Sequence, residues 1–200
     1  MTESPPARHT GYDALIERLG RPEPWTIDDL FQLDFPEGQR YEIVDGSLLV
    51  SPAPSNPHNR VADRLDKMLS PHAPAHLRVS DAGFAVSVRG RRSYLIPDVT
   101  VMHRSAYESD RDLLLAPEVV LVIEVLSPSN SRNDLVMKRA EYAAGGIPQY
   151  WIVDKEEETL TVLTLDDSGE RYVESAVVRP GQPWKTDDPF PLTLDLADIF

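Results

Sequence analysis

The sequence predicts one α/β domain, mixed α+β in element order, with a mixed β-sheet flanked by helices. Three observations lead there. Val119–Leu126 is apolar except for one acid, the pattern of a strand buried on both faces. Alternating runs closed by turn residues recur along the chain, as at Arg40–Val44 before Asp45-Gly46, a strong hairpin signal. Two stretches of helical periodicity are interleaved with these strands. Such an order around one sheet excludes an all-helical bundle or a pure sandwich.

The elements follow in turn. Residues 1–23 are polar and Pro-containing and read as a flexible arm with a short helix at Tyr12–Leu19; residues 24–200 form the domain. Thr26 has the chemistry of an N-cap, and Asp28 and Asp29 suit the positive end of the helix dipole that follows. After the Asp45-Gly46 turn, Ser47–Val50 is the return strand. Ser51–Pro57 is a loop, and Asn56 caps a helix with Pro57 in its first position. Val61, Leu65, Met68 and Leu69 form that helix's apolar face. Strands are expected around Leu77–Val79, Phe84–Val88 and Tyr94–Met102, then a polar connection over residues 103–117. After the buried strand, Arg132–Ala144 reads as a helix stopped at Gly145-Gly146. Gln149–Val153 is a strand, and Thr159–Leu165 with Arg171–Val178 a second hairpin.

Composition narrows the function. The chain has no cysteine, which excludes disulfides, thiolate zinc sites and a cysteine nucleophile. No secretory signal is evident, and no run approaches the roughly 20 apolar residues of a membrane span. A cytoplasmic protein without a membrane partner is expected. The net charge is −13, and residues 141–200 hold 13 acids against 4 bases. A surface that meets a polyanion therefore belongs to the first two thirds, because such binding depends on Lys and Arg neutralising phosphates.

Within this frame a few polar residues stand out. Glu124 lies in Val-Val-Leu-Val-Ile-Glu-Val-Leu, where a lone ionised carboxylate is costly unless paired or metal-bound. Asp98 repeats the pattern after Pro97, which removes a ladder donor and favours either a bulge or a turn that splits the strand. Glu42 alternates onto the face of Val44. His58 precedes Val61 by three and Leu65 by seven, along that helix's inward side. Lys138 lies in a stripe with Asp134 and Tyr142, while Arg139 is nearer the apolar face, so periodicity alone does not choose between the two cations. Carboxylates from neighbouring strands make a hard oxygen site for Mg²⁺ or Mn²⁺. Metal, carboxylate and cation are what phosphodiester hydrolysis needs.

From about Trp25 to Phe200 the chain resembles the Uma family of restriction endonucleases, a mostly uncharacterised bacterial branch of the PD-(D/E)XK nuclease superfamily. The matching segments are Tyr41-Glu42-Ile43-Val44-Asp45-Gly46, Ser51-Pro52 with His58, Pro97-Asp98-Val99, and Glu124-Val125-Leu126-Ser127-Pro128-Ser129. Asp134, Lys138 and Tyr142 follow, then Gly146-Ile147 and Tyr150-Trp151-Ile152-Val153-Asp154. The resemblance implies a restriction-endonuclease-like fold with Glu42, Asp98, Glu124 and Lys138 as the catalytic set. It implies a Mg²⁺ or Mn²⁺ ion on Asp98, Glu124 and the Val125 backbone carbonyl, and accessory roles for His58 and Tyr142. One departure stands out: the superfamily's lysine two residues after the second acid is Leu126 here, and the resemblance assigns its part to Lys138.

The leading reading is a Mg²⁺-dependent endonuclease acting on DNA as a homodimer. Arg60, Arg64 and Lys67 on one helix side, and Arg89, Arg91 and Arg92 before the Asp98 strand, are the candidate phosphate contacts. The alternative is a nuclease-fold module that binds nucleic acid or protein without cutting. A two-carboxylate glycosidase fits less well, since only 8% of the chain is aromatic.

Overall fold

Asp45 and Gly46 both take positive φ, 45° and 81°, the pairing of a type I′ turn. The chain therefore folds back tightly, and β1 (Gln39–Val44) pairs with β2 (Ser47–Pro52). In this computed structural model, residue 15 and residues 17–20, 23–127 and 132–200 are described, excepting the side chains of 132–135. Pro128, Ser129 and the Asp134 side chain lie outside the described residues. So does the start of the helix expected at Tyr12. From its remainder, Leu15 is buried and Arg18 bonds Asp29 and the carbonyl of Pro24.

Thr26 caps α1 (Ile27–Gln32) in a reciprocal box with Asp29, satisfying donors that the first turn leaves open. Ser55, one residue before the expected Asn56, is the N-cap of α2 (Asn56–Leu69) and makes no side-chain cap bond. Three more strands follow, β3 (Leu77–Ser80), β4 (Val86–Val88) and β5 (Ser93–Leu95). Of the bulge and the split that the sequence leaves open within Tyr94–Met102, the chain takes the split. β5 ends at Leu95, and β6 (Val99–His103) starts after Pro97, which has no N–H to continue the ladder. The two halves belong to different sheets. Residues 103–117 also hold α3 (Arg104–Tyr107) and β7 (Leu114–Leu115), the latter parallel to β4.

β8 (Val119–Val125), α4 (Arg132–Ala144) and β9 (Gln149–Asp154) form a crossover unit with β8 and β9 parallel. β10 (Thr159–Leu165) and β11 (Tyr172–Val178) complete a six-stranded sheet in the order β11-β10-β9-β8-β6-β3. The other main sheet runs β2-β1-β5-β4-β7. A short ribbon, β12 (Trp184–Thr186) with β13 (Leu192–Leu194), was not expected from the sequence.

Strand alternation decides which residues meet. Leu121, Ile123 and Val125 point to one face of the larger sheet and pack with Val61, Leu65 and Leu69 of α2. Val122 points the other way, with Tyr150, toward Tyr142 and Ala143 of α4. That helix shares this cluster with Val44, Val86, Val88 and Leu95 of the other sheet, so it lies between the two sheets. Glu124 has the phase of Val122 and therefore faces α4. No helix among the described residues is long and apolar enough to cross a membrane.

Candidate active site

The site forms where the chain changes sheets. Continuing the β6–β8 register one step beyond Val99↔Ile123 brings Asp98 opposite Glu124. The break at Ile96-Pro97-Asp98 frees backbone groups that a ladder would have used, and site side chains take them up. Ile96 N–H donates to Glu42 Oε1 at 2.7 Å. Its carbonyl accepts from Arg40 Nη1 at 3.1 Å. Asp98 N–H reaches the Ile123 carbonyl at 3.1 Å. The switch between sheets and the polar cluster hold each other in place.

Glu42, His58, Asp98, Glu124 and Lys138 are each only 2–4% exposed. Lys138 Nζ lies 2.8 Å from Glu42 Oε1 and 3.1 Å from Glu124 Oε1. Tyr142 Oη donates to Glu124 Oε1 at 2.8 Å. One turn apart on α4, Lys138 and Tyr142 thus converge on one carboxylate oxygen. Arg139 points elsewhere and bonds the Tyr172 carbonyl. Asp98 Oδ1 accepts from Arg40 Nη1 at 2.9 Å and Oδ2 from Val125 N–H at 2.8 Å. His58 Nε2 is 2.9 Å from Asp98 Oδ2. Neither of its ring nitrogens makes an aligned hydrogen bond.

Burial and charge pull these groups in different directions. Burial raises Glu124, Lys138 lowers it, and the nearby Asp98 and Glu42 charges raise it again; the carboxyl ends at about 7. Burial alone would also raise Asp98, but His58, Arg40 and the Val125 N–H hold it below the ordinary carboxylate value. Burial opposes the charge on Lys138, yet Glu124 and Glu42 outweigh it and keep the ammonium above its usual value. The Tyr142 hydroxyl is raised by burial and then by Glu124, so it stays a donor.

Among the described residues no group of three His, Asp or Glu side chains is disposed as a ready metal cage. The donor set nonetheless suits a hard cation. Two carboxylates meet across neighbouring strands, and a buried imidazole beside them lacks an aligned partner. Mg²⁺ and Mn²⁺ need few protein oxygens and keep several waters.

Arg40 is the functional candidate that reading the sequence missed. It lies two residues before Glu42 on β1, so strand alternation alone places both on one face. A second omission is Glu141 on α4. It accepts from Ser93 Oγ at 2.6 Å and Arg89 Nη1 at 3.0 Å, and Ser93 in turn accepts from Asp45 N–H. These bonds tie the helix that carries Lys138 to the β1–β2 hairpin that carries Glu42.

The expected phosphate contacts sit outside the cluster. Lys67 pairs with Asp63, Arg91 with Asp28 and Arg92 with Asp45. Arg89 is held by Glu141, and Arg64 bonds the carbonyls of Ile199 and Phe200. Arg60 is exposed on α2 and makes no ion pair among the described residues.

The family described as "Uma2: Putative restriction endonuclease" matches residues 27–197. The chain belongs to that family. A crystal structure described as that of a "putative nuclease belonging to DUF820", from Anabaena variabilis, superposes with a TM-score of 0.72 at 19% identity. The match covers 88% of this chain and 98% of the other, and at that identity it shows the fold alone. None of the curated proteins is similar to the chain. Family and fold together support a nuclease.

Proposed function

We propose that this Uma2 family member is a Mg²⁺- or Mn²⁺-dependent endonuclease that hydrolyses phosphodiester bonds in DNA. One observation carries the reading: two buried acids on adjacent strands, Asp98 and Glu124, share a cluster with Glu42 and a buried ammonium from the next helix. Taking charges out of water is costly, so carboxylates this deeply buried are rare unless paired or bound to metal.

Asp98, Glu124 and the Val125 carbonyl would hold the metal. When bound, it supplies Lewis-acid polarisation of the phosphate and lowers the pKa of a bound water. Lys138 and Tyr142 converge on Glu124 Oε1 and fix the carboxylate's orientation. The buried Lys138 ammonium also offsets charge that develops on the phosphate, the part that a lysine at position 126 would otherwise play. Glu42 orients Lys138 and clamps the sheet switch through Ile96 N–H. His58, Arg40 and the Val125 N–H keep the Asp98 carboxyl below the ordinary carboxylate value. His58 and Tyr142 are accessory, acting on the two acids rather than on the substrate. The protein acts in the cytoplasm as a homodimer, which would double the Arg and Lys contacts available to DNA.

The test is a low-salt cleavage assay on supercoiled plasmid and on labelled single strands, with Mg²⁺ or Mn²⁺, wild type beside Glu124→Gln. Cutting by wild type and at least a tenfold loss in the variant are expected. Intact substrates with both metals would favour the alternative, a nuclease-fold module that binds nucleic acid or protein. Equal cutting by the two proteins would remove Glu124 from the site.

A further inference from the structure

Beside the Arg40–Asp98 contact, the β1–β5 pair and the segment after α1 border an open cleft of about 390 Å³. Phe35, Tyr41 and Tyr94 supply aromatic walls, Arg40 the positive charge, and Gln39 and Ile96 polar and apolar edges. The rings have neighbours that brace them. Phe35 lies 4.4 Å from Tyr41 between centroids, and Tyr94 packs edge-on against Phe31 at 6.1 Å. The Gln39 side-chain oxygen accepts from Tyr41 Oη at 2.7 Å.

Two residues belong to both pocket and cluster. Arg40 lines the pocket while donating to Asp98 Oδ1. Ile96 lines it while its N–H donates to Glu42 and its carbonyl accepts from Arg40. A ligand here would therefore lie one side chain away from the acids. The volume is near the lower end of the roughly 300–1,000 Å³ of ligand pockets. It suits one nucleotide and is too small for a base pair.

We propose that this pocket receives a single unpaired nucleotide next to the scissile phosphate. Its base stacks among Phe35, Tyr41 and Tyr94, and its phosphate rests on Arg40. The inference rests on the nuclease reading and deepens it, since a base still paired within a duplex cannot enter. Stacking is available to every base, because each has a π-face, so the site is tolerant of sequence. It also suits a strongly acidic protein, since a neutral base is not repelled by the field that opposes the sugar-phosphate backbone. Arg40 then supplies charge where the backbone must approach.

The experiment measures binding and cutting separately. Fluorescence anisotropy in EDTA compares a short labelled oligodeoxynucleotide with its duplex and with an abasic version. Wild type should bind the single strand about tenfold or more tighter than either of the others. Phe35→Ala and Tyr94→Ala should each erase most of that preference, and Tyr94→Phe should keep it. Equal affinity for single strand and duplex, or an unchanged preference in Tyr94→Ala, would overturn the proposal. The same strands with Mn²⁺ separate the two readings. Cutting without single-strand preference leaves the nuclease standing and removes the pocket. Preferential binding without cutting removes the nuclease and leaves an unpaired-nucleotide site.

Discussion

With Glu42 and Glu124 both buried, removing Lys138 would leave two carboxylates facing each other without a cation. Lys138→Met should cut nuclease activity at least tenfold, about 1.4 kcal/mol of transition-state stabilisation. It should also lower stability near pH 8 by roughly 3–5 kcal/mol, the usual range for breaking a buried pair from one side. Urea melts will show a smaller loss near pH 5, where Glu124 holds its proton. Glu124 sets a second pH dependence. Its folded-state pKa, about 7, lies above the ordinary 4.5, so it favours the fold at acid pH. That contribution fades as pH rises from about 4.5 through 7. Asp98 is shifted the other way, and its effect appears only at lower pH. The melting temperature without metal should therefore fall between pH 5 and 7.5, and Glu124→Gln should flatten the fall. Mn²⁺ affinity should rise over the same interval, because binding displaces the proton; a pH-independent affinity by calorimetry would contradict this. At this scale much of the site was legible. Glu124 and Asp98 were visible as acids in apolar strands, which have few structural reasons to exist. Arg40 was not, because an arginine at the start of an exposed-looking strand has an ordinary surface explanation. Its partner lies 58 positions away, a distance that local periodicity does not cover.

The elements were read best where the local signal and the tertiary environment agree. Arg132–Ala144 and Thr159–Leu165 carry clear periods and clear stops, and their bounds agree with the structure. The sheet switch at Pro97 is different. Proline marks an interruption, but only long-range pairing decides whether the strand bulges or leaves for another sheet. β12 and β13 are three residues each, too short for alternation to register. The junction that bears most directly on the proposed site is the packing of α4 between the sheets. A Cβ on Gly145 would meet Val88 Cγ1 at 2.9 Å and Ala116 Cβ at 3.1 Å. Gly145→Ala should push the end of α4 away from β4 and destabilise by about 1–3 kcal/mol, as overpacking does. Because Glu141 and Lys138 ride on the same helix, kcat should fall more than KM rises. Chemical denaturation and steady-state kinetics on one preparation will show whether the two losses travel together.

For the whole molecule, the governing quantity is a charge of −13, with most of the candidate phosphate contacts already partnered among the described residues. Five of the six candidate phosphate contacts already have partners: Asp63, Glu141, Asp28 and Asp45 for four, and backbone carbonyls for Arg64. Exposed ion pairs are weak, typically under about 1 kcal/mol, so a phosphate can replace an acid partner. Each exchange nevertheless gives up one attraction to gain another and leaves a bare carboxylate near the polyanion. Net counterion release should therefore be small. With Arg60, and Arg40 whose charge is shared with Asp98, as the principal contacts, the slope of log K against log salt should stay below about 3 in magnitude, at roughly 0.7–0.9 per neutralised phosphate. Affinity should be modest throughout, and a divalent ion at Asp98 and Glu124 should raise it beyond what ionic strength explains, by cancelling part of the acidic field. Arg60→Ala should reduce the slope by about one phosphate. Titrations with labelled DNA in Ca²⁺, over a tenfold range of salt, measure all three quantities. A slope of about 5 or more would mean that Arg89, Arg91 and Arg92 desert their acids for the backbone, and that the basic cluster before Asp98 belongs to the interface.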